Sequence, residues 1–307
     1  MPKLKKITAK RVVLTSILVD ASDVVLNTAV AILTGSVVML AQLLEGVSDL
    51  LSSSLLYLGL RSSEAQPSRR HPFGRGKEIY FWSLISAFVM ATLAAGLSFY
   101  FGYQRFLNPK PVENIYLTFA VLSLGLVFNG YAFSLSFRRI LGKRDVRKIF
   151  ALFFRTHLVA TKNAFVLDLM GTVASLIGLI SLGLYQATGI LHFDAVGAMA
   201  IGVVLAFLAA TLIAGIKNFI VGRSAPPEVE EEIRKIVLEE PEVEEVLDLK
   251  TMLVGGDSML VNLEVHVMGS LTVDEAEVLI DRIKERLVKE VETIQHVQIE
   301  LETPDKL

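Results

Sequence analysis

Glu45 and Asp49 stand four residues apart in a stretch otherwise apolar enough to cross a membrane, and Asp168 stands in another. Insertion scales charge roughly 2.5 to 3.5 kcal/mol for an acid at a bilayer centre, so such residues persist mainly where they face a partner, an ion or water. The i, i+4 spacing puts both carboxylates on one helix face, as a metal clamp requires. Gln42, Ser52 and Ser53 extend that face into a polar stripe. Ser16, Asp20, Asp23 and Asn27 form a second stripe, and Asp168, Thr172 and Ser175 a third. The first two stripes belong to segments joined by a very short turn at Thr34-Gly35-Ser36, and Asp23 lies about as far from that turn as Asp49 does. Carboxylates from three helices are therefore expected to converge on one layer and to hold a cation there.

Without an imidazole in that layer the ligands are all oxygens, which suit Mn²⁺ or Fe²⁺ ahead of Zn²⁺ or Co²⁺. Like charges gathered in low dielectric cannot all remain ionised without a cation, so protons are expected to bind as the metal leaves. Metal-for-proton exchange then needs only these acids and access from each side in turn.

Each residue also has a blander role. Asp20 lies near a helix end, where water, Lys10 or Arg11 would satisfy it, and Asp23 is open between a pathway residue and a helix–helix hydrogen bond. Asp168 has Lys162 six residues before it as a snorkelling partner, and Asp194 reads as a helix cap. Serine and threonine in such helices commonly bond back to their own backbone, so Thr172 and Ser175 weigh little alone. His71 sits in a strongly basic loop, His157 and His192 lie near segment ends, and His266 and His296 fall on expected strands. An enzyme is not supported, because no nucleophile–base pair is found. The absence of cysteine excludes disulfides, thiolate zinc sites and thiol catalysis.

The elements that must position these residues follow from composition. The 307 residues are 52% hydrophobic, with a mean hydropathy of +0.54, too apolar for an ordinary soluble domain. Six stretches, 12–35, 37–60, 79–103, 115–137, 164–186 and 195–221, are long enough to span about 30 Å of hydrocarbon. Residues 226–307 hold 22 of the 32 acids and 8 of the 30 Lys/Arg, a net of −14, while the rest holds 10 acids and 22 bases, a net of +12. The bases gather mainly at the N-terminus, in 61–77 and in 138–162, which places both termini in the cytoplasm by the positive-inside rule. The lysine-rich start reads as a cytoplasmic lead, not a signal peptide, and a cell membrane is the expected location. Two domains are expected, 1–224 and 225–307, with Ala225-Pro226-Pro227 as the linker. Beyond it come a helix near 228–239, strands near 244–254 and 258–267, a helix near 272–291 and a strand near 295–302. The fold class is thus a membrane α-helical bundle of six spans followed by a small α+β domain of α-β-β-α-β order. The partners expected are divalent cations, protons and the lipid bilayer, and no nucleic acid.

Several motifs together are similar to the cation diffusion facilitator family of divalent-metal/proton antiporters. They are Leu33-Thr34-Gly35-Ser36, Ala41 through Asp49, the loop His71-Pro72-Phe73-Gly74-Arg75-Gly76-Lys77-Glu78-Ile79-Tyr80-Phe81-Trp82, and Phe193-Asp194. The resemblance implies six transmembrane helices, a metallochaperone-like cytoplasmic domain and a homodimer formed through it. It also implies one transport site per protomer, carried over as Glu45 and Asp49 with Asp168 and Thr172. Glu45 stands where His or Asp is usual, and Thr172 where Asp is usual. Weaker candidate ligands are Asp23, Gln42, His71, Glu264, His266 and Glu300. Arg75 replaces a second loop histidine, and Leu247, Glu264 and Glu300 stand where zinc-binding members carry His. The expected function is export of a divalent cation of the Mn/Fe or Zn/Co class in exchange for protons; the alternative is a non-transporting or metal-sensing scaffold.

Overall fold

The computed structural model describes residues 9–141, 145–149, 152–153, 159–256 and 258–304. His157 and Asp257 lie outside them, as do the side chains of Lys10, Arg11 and Ser16. One unit of the molecule comprises residues 1–61 and 80–217, and the other comprises 62–79 together with 218–307.

The first unit is built from six long helices: α1 (Ala9–Thr34), α2 (Val37–Ser63), α3 (Glu78–Leu107), α4 (Ile115–Leu141), α5 (Val159–Thr188) and α6 (His192–Val221). Their 26 to 30 residues give about 39 to 45 Å at 1.5 Å per residue, more than the ~30 Å of hydrocarbon. All six are apolar enough to cross it. They coincide with the six stretches expected from the sequence, and the chain is a multi-pass membrane protein. Helix α1 stops where Gly35 takes a φ of +59° and its N–H donates to Ala31 O at 3.0 Å, a left-handed close that lets α2 begin two residues later.

Lipid supplies no hydrophobic force between helices, so close packing through small residues joins them. A Cβ on Gly202 of α6 would lie 2.8 Å from both Ala95 O and Phe99 N of α3, and one on Gly102 of α3 would lie 2.8 Å from Met199 N of α6. Helix α3 runs as a π-helix over Met90–Leu97, a stretch that includes the Ala95 contact of Gly202. Gly171 of α5 meets the Asn129 amide of α4 in the same way, at 2.6 Å.

In the second unit the order is α7 (Pro227–Leu238), β1 (Val243–Gly255), β2 (Ser258–Val267), α8 (Val273–Glu290) and β3 (Ile294–Leu301). Strand β2 is central, antiparallel to β1 and parallel to β3. Alternate residues Met259, Val261, Leu263 and Val265 are buried, as are Ile233, Ile236 and Val237 of α7 and Leu279, Ile283 and Leu287 of α8. The period of two on the strand and of 3.6 on the helices makes one core beneath one sheet face. Helix α8 opens with a capping box: Thr272 Oγ1 accepts from Glu275 N at 3.3 Å, and the Glu275 carboxylate accepts from Thr272 N at 2.8 Å. The loop 62–79 rests on the sheet, with Gly76 so close that a Cβ there would lie 2.7 Å from Val254 O, and with Phe73 edge-on to His296 at 5.2 Å.

Candidate ion-binding site among the membrane helices

Helices α1, α2 and α4 line a half-open cavity of about 440 Å³, with Val19, Leu26, Leu124 and Phe128 exposed at its mouth. Asp20, Asp23 and Asn27 of α1, Gln42, Glu45 and Asp49 of α2, and Asn129 of α4 line it, and no Lys, Arg or His is among its lining residues. Glu45 is only 2% exposed, and Asp49 stands one helical turn on along the same face of α2. Two carboxylates tolerate that closeness through a shared proton or an intervening cation.

The neighbours of each acid come from helix geometry. Asp23 accepts from Asn27 Nδ2, one turn on, at 2.9 Å and presses against α2 where Gly46 leaves room; a Cβ there would be 3.3 Å from Asp23 Oδ2. Asp20 accepts from Ser53 Oγ of α2 at 2.7 Å. Gln42 Oε1 accepts from Ser175 Oγ of α5 at 3.4 Å. Gln42 Nε2, Asp49 Oδ1 and the hydroxyls of Ser48 and Ser52 are buried with no partner among the described residues. Each such atom costs several kcal/mol in hydrocarbon, so this length of α2 is suited to meet an ion or water.

Asp168 and Thr172 do not line the cavity. Asp168 accepts from Ser136 Oγ of α4, and Thr172 Oγ1 donates to the Asp168 carbonyl one turn earlier at 2.7 Å. Lys162, fully buried, donates to Gly215 O of α6 at 3.3 Å and lies 5.5 Å from the centre of the Phe153 ring. The structure therefore gathers Glu45, Asp49, Asp23 and Gln42 with Asp20 and Asn129, leaves Asp168 outside the cavity lining on Ser136, and turns the Thr172 hydroxyl onto its own helix. Among the described residues no three of His, Asp and Glu converge closely enough to hold one ion. The arrangement is an acid-lined, half-open cavity with room for a cation and six waters at about 30 Å³ each.

In the second unit Glu264, His266 and Glu300 are on β2 and β3, with Glu264 paired to Glu300 in register. Each is engaged separately. Glu264 meets Lys250 at 3.7 Å, His266 Nε2 meets Glu244 at 3.2 Å, and Glu300 accepts from Gln298 Nε2 at 3.0 Å. His71 is exposed in a turn, its N–H donating to Ser68.

Asp194 is a cap, but not of its own helix. It accepts from Ser36 Oγ and from the N–H groups of Val37 and Val38 at the start of α2. The sequence reading assigned no site residue to α4, where Asn129 lines the cavity and Ser136 holds Asp168. A lone Asn or Ser in an apolar span has no periodicity to mark it.

A family model described as the cation efflux transmembrane domain matches residues 13–215, and one described as the cation efflux protein cytoplasmic domain matches residues 225–304. The proton-coupled zinc antiporter SLC30A9, mitochondrial, of Homo sapiens is 26% identical over 249 residues, 80% of this chain and 44% of the relative. Metal tolerance protein C4 of Arabidopsis thaliana is 24% identical over 242 residues, 78% of this chain and 53% of the relative. The cation-efflux pump FieF of Shewanella oneidensis is 27% identical over 251 residues, 81% of this chain and 78% of the relative. The chain thus spans about half the length of the first two.

Proposed function

Because the chain belongs to the cation diffusion facilitator family, we propose that it exports a divalent metal cation from the cytoplasm in exchange for protons, holding the ion at the Glu45–Asp49 face of α2. The observation that carries this reading is the cavity at mid-helix depth, walled by Asp20, Asp23, Glu45 and Asp49 without a basic side chain. Such a wall attracts a dication, and its carboxylates take up protons when the ion departs. Asp168 is the ligand from α5, with Thr172 as a weaker oxygen donor. Asp23 and Gln42 complete the chamber around the hydrated ion.

The oxygen-only donor set suits Mn²⁺ or Fe²⁺ first, although two of the relatives' names point to zinc or to efflux of unspecified cations. The distribution of Lys and Arg supports placing both termini and the second unit in the cytoplasm of a cell membrane. Two copies are taken to pair through the cytoplasmic domain, where Glu264, His266, Glu300 and the loop His71 are at most weak cation contacts.

Reconstitution into proteoliposomes with an internal metal-sensitive dye and an imposed pH gradient tests the reading, with Mn²⁺, Fe²⁺, Zn²⁺, Co²⁺ and Mg²⁺ in parallel. Uptake that stops when a protonophore collapses the gradient is the expected result. No uptake of any of the five would contradict it and favour a non-transporting scaffold, for which Thr172 in place of an acid would be a natural mark.

A further inference from the structure

Helix α2 carries the ion-site acids, so whatever fixes its depth and rotation fixes them. The first N–H groups of any helix lack intrahelical partners, and in hydrocarbon each must find one. In α2 the accounting closes through a residue of another helix. Asp194, fully buried in the first turn of α6, accepts from Val37 N through Oδ2 at 2.9 Å and from Val38 N through Oδ1 at 3.1 Å. Its Oδ1 also accepts from Ser36 Oγ at 2.6 Å, and that hydroxyl accepts in turn from Met39 N at 3.3 Å. Leu40 N then donates to Ser36 O at 3.1 Å, which begins the ordinary ladder. A carboxylate at this end is also favoured by the helix dipole.

The same turn is locked in rotation. The Val38 methyls sit where α5 and α6 both lack a side chain: a Cβ on Gly178 would be 2.9 Å from Val38 Cγ1, and one on Gly197 2.9 Å from Val38 Cγ2. Val38, Gln42, Glu45 and Asp49 follow i, i+4, i+7 and i+11, so they form one stripe. The clamp therefore sits at the head of the stripe that reaches the cavity. A slip there is transmitted to Glu45 and Asp49 about 10 and 16 Å further along at 1.5 Å per residue.

We propose that Asp194 is a positioning residue for transport, whose carboxylate ties α2 to α6 and sets the register of Glu45 and Asp49 against the helices around them. The inference rests on the transport reading for its functional consequence, and on the geometry alone for the register.

Two measurements on the full chain test it. In proteoliposomes, Asp194→Asn sets an amide NH₂ against N–H or O–H donors, and it should raise the KM for the transported cation roughly tenfold or more, as an ångström-scale misplacement of binding groups does even from a distance. The maximal rate per inserted molecule should fall by less. Ser36→Ala, which removes one hydroxyl and keeps both backbone donors, should raise KM in the same direction by a smaller factor; it serves if Asp194→Asn fails to insert. A loss of rate with unchanged KM in both variants would mean a structural cap and overturn the proposal. The chain has no cysteine, so spin labels at Leu51→Cys on α2 and Leu176→Cys on α5, both exposed, report the register without background. Asp194→Asn should shift or broaden that distance by about one residue's rise, 1.5 Å, or more. An unchanged distance overturns the positioning role. If the unmutated protein moves no cation, the transport reading fails while the distance still decides the register.

Discussion

Thr172 and Asp168 show how one hydrogen bond changes what a residue offers. The Thr172 hydroxyl is spent on the Asp168 carbonyl of its own helix at 2.7 Å, whereas the Asp168 carboxylate faces α4 and is held by Ser136. Thr172→Ala should therefore change the KM for the transported cation by less than about threefold, while Asp168→Asn should raise it roughly tenfold or more. Equal effects in the same uptake assay would make the hydroxyl a ligand of full weight. Gly46 is a second case. An alanine Cβ would stand 3.3 Å from Asp23 Oδ2, so that carboxylate must give by a few tenths of an ångström at the height of Glu45. Gly46→Ala should lower cation affinity several-fold without removing a carboxylate; an unchanged KM would place Asp23 outside the site. The acids themselves were legible in the sequence because charge in an apolar span is costly. Their partners Ser53 and Ser136 were not, since a serine in a span is ordinary and nothing local says which helix lies opposite.

Among the elements, the six spans and the α-β-β-α-β order could be read to within a few residues, because hydropathy and the periods of 3.6 and 2 are local properties. The packing order was not legible. The stripes of α1, α2 and α5 are expected to meet, and the resemblance pairs α2 with α5; the cavity takes its lining from α1, α2 and α4, and Asp168 is not part of it. Asp194 was readable as a cap, but its recipient is α2. Glycines hold the record of packing only once the structure shows what they touch. Gly202→Ala would drive a Cβ to 2.8 Å from backbone atoms of Ala95 and Phe99, which cannot yield as a flexible side chain would. It should cost about 1 to 3 kcal/mol. Gly183→Ala, with nothing within 4 Å, should be near neutral. Thermal unfolding of the detergent-solubilised protein separates the two, and equal midpoints would refute the close α3–α6 contact.

At the scale of the whole molecule, the second unit carries a pH dependence that its ion pairs and cap set. In the cytoplasmic unit the hydrogen bond from Arg282 holds the Glu242 carboxyl below its ordinary value, Lys250 does the same for Asp248, and the capping N–H of Thr272 for Glu275. A depressed carboxylate contributes stability that is present above its unfolded pKa and is lost as pH falls through the folded one. This unit's unfolding midpoint in the full chain should hold from neutrality to about pH 5 and decline below the ordinary carboxylate range, near 4.5 for Glu and 3.8 for Asp. A midpoint that rises on acidification would refute the ion-pair account. The membrane unit is tested most directly by uptake of Mn²⁺, Fe²⁺ and Zn²⁺ into proteoliposomes under a pH gradient, comparing the unmutated chain with Glu45→Gln and Asp49→Asn. Loss of uptake in both variants, with normal insertion, is the result expected if this carboxylate pair carries the ion. Undiminished uptake in either would contradict it.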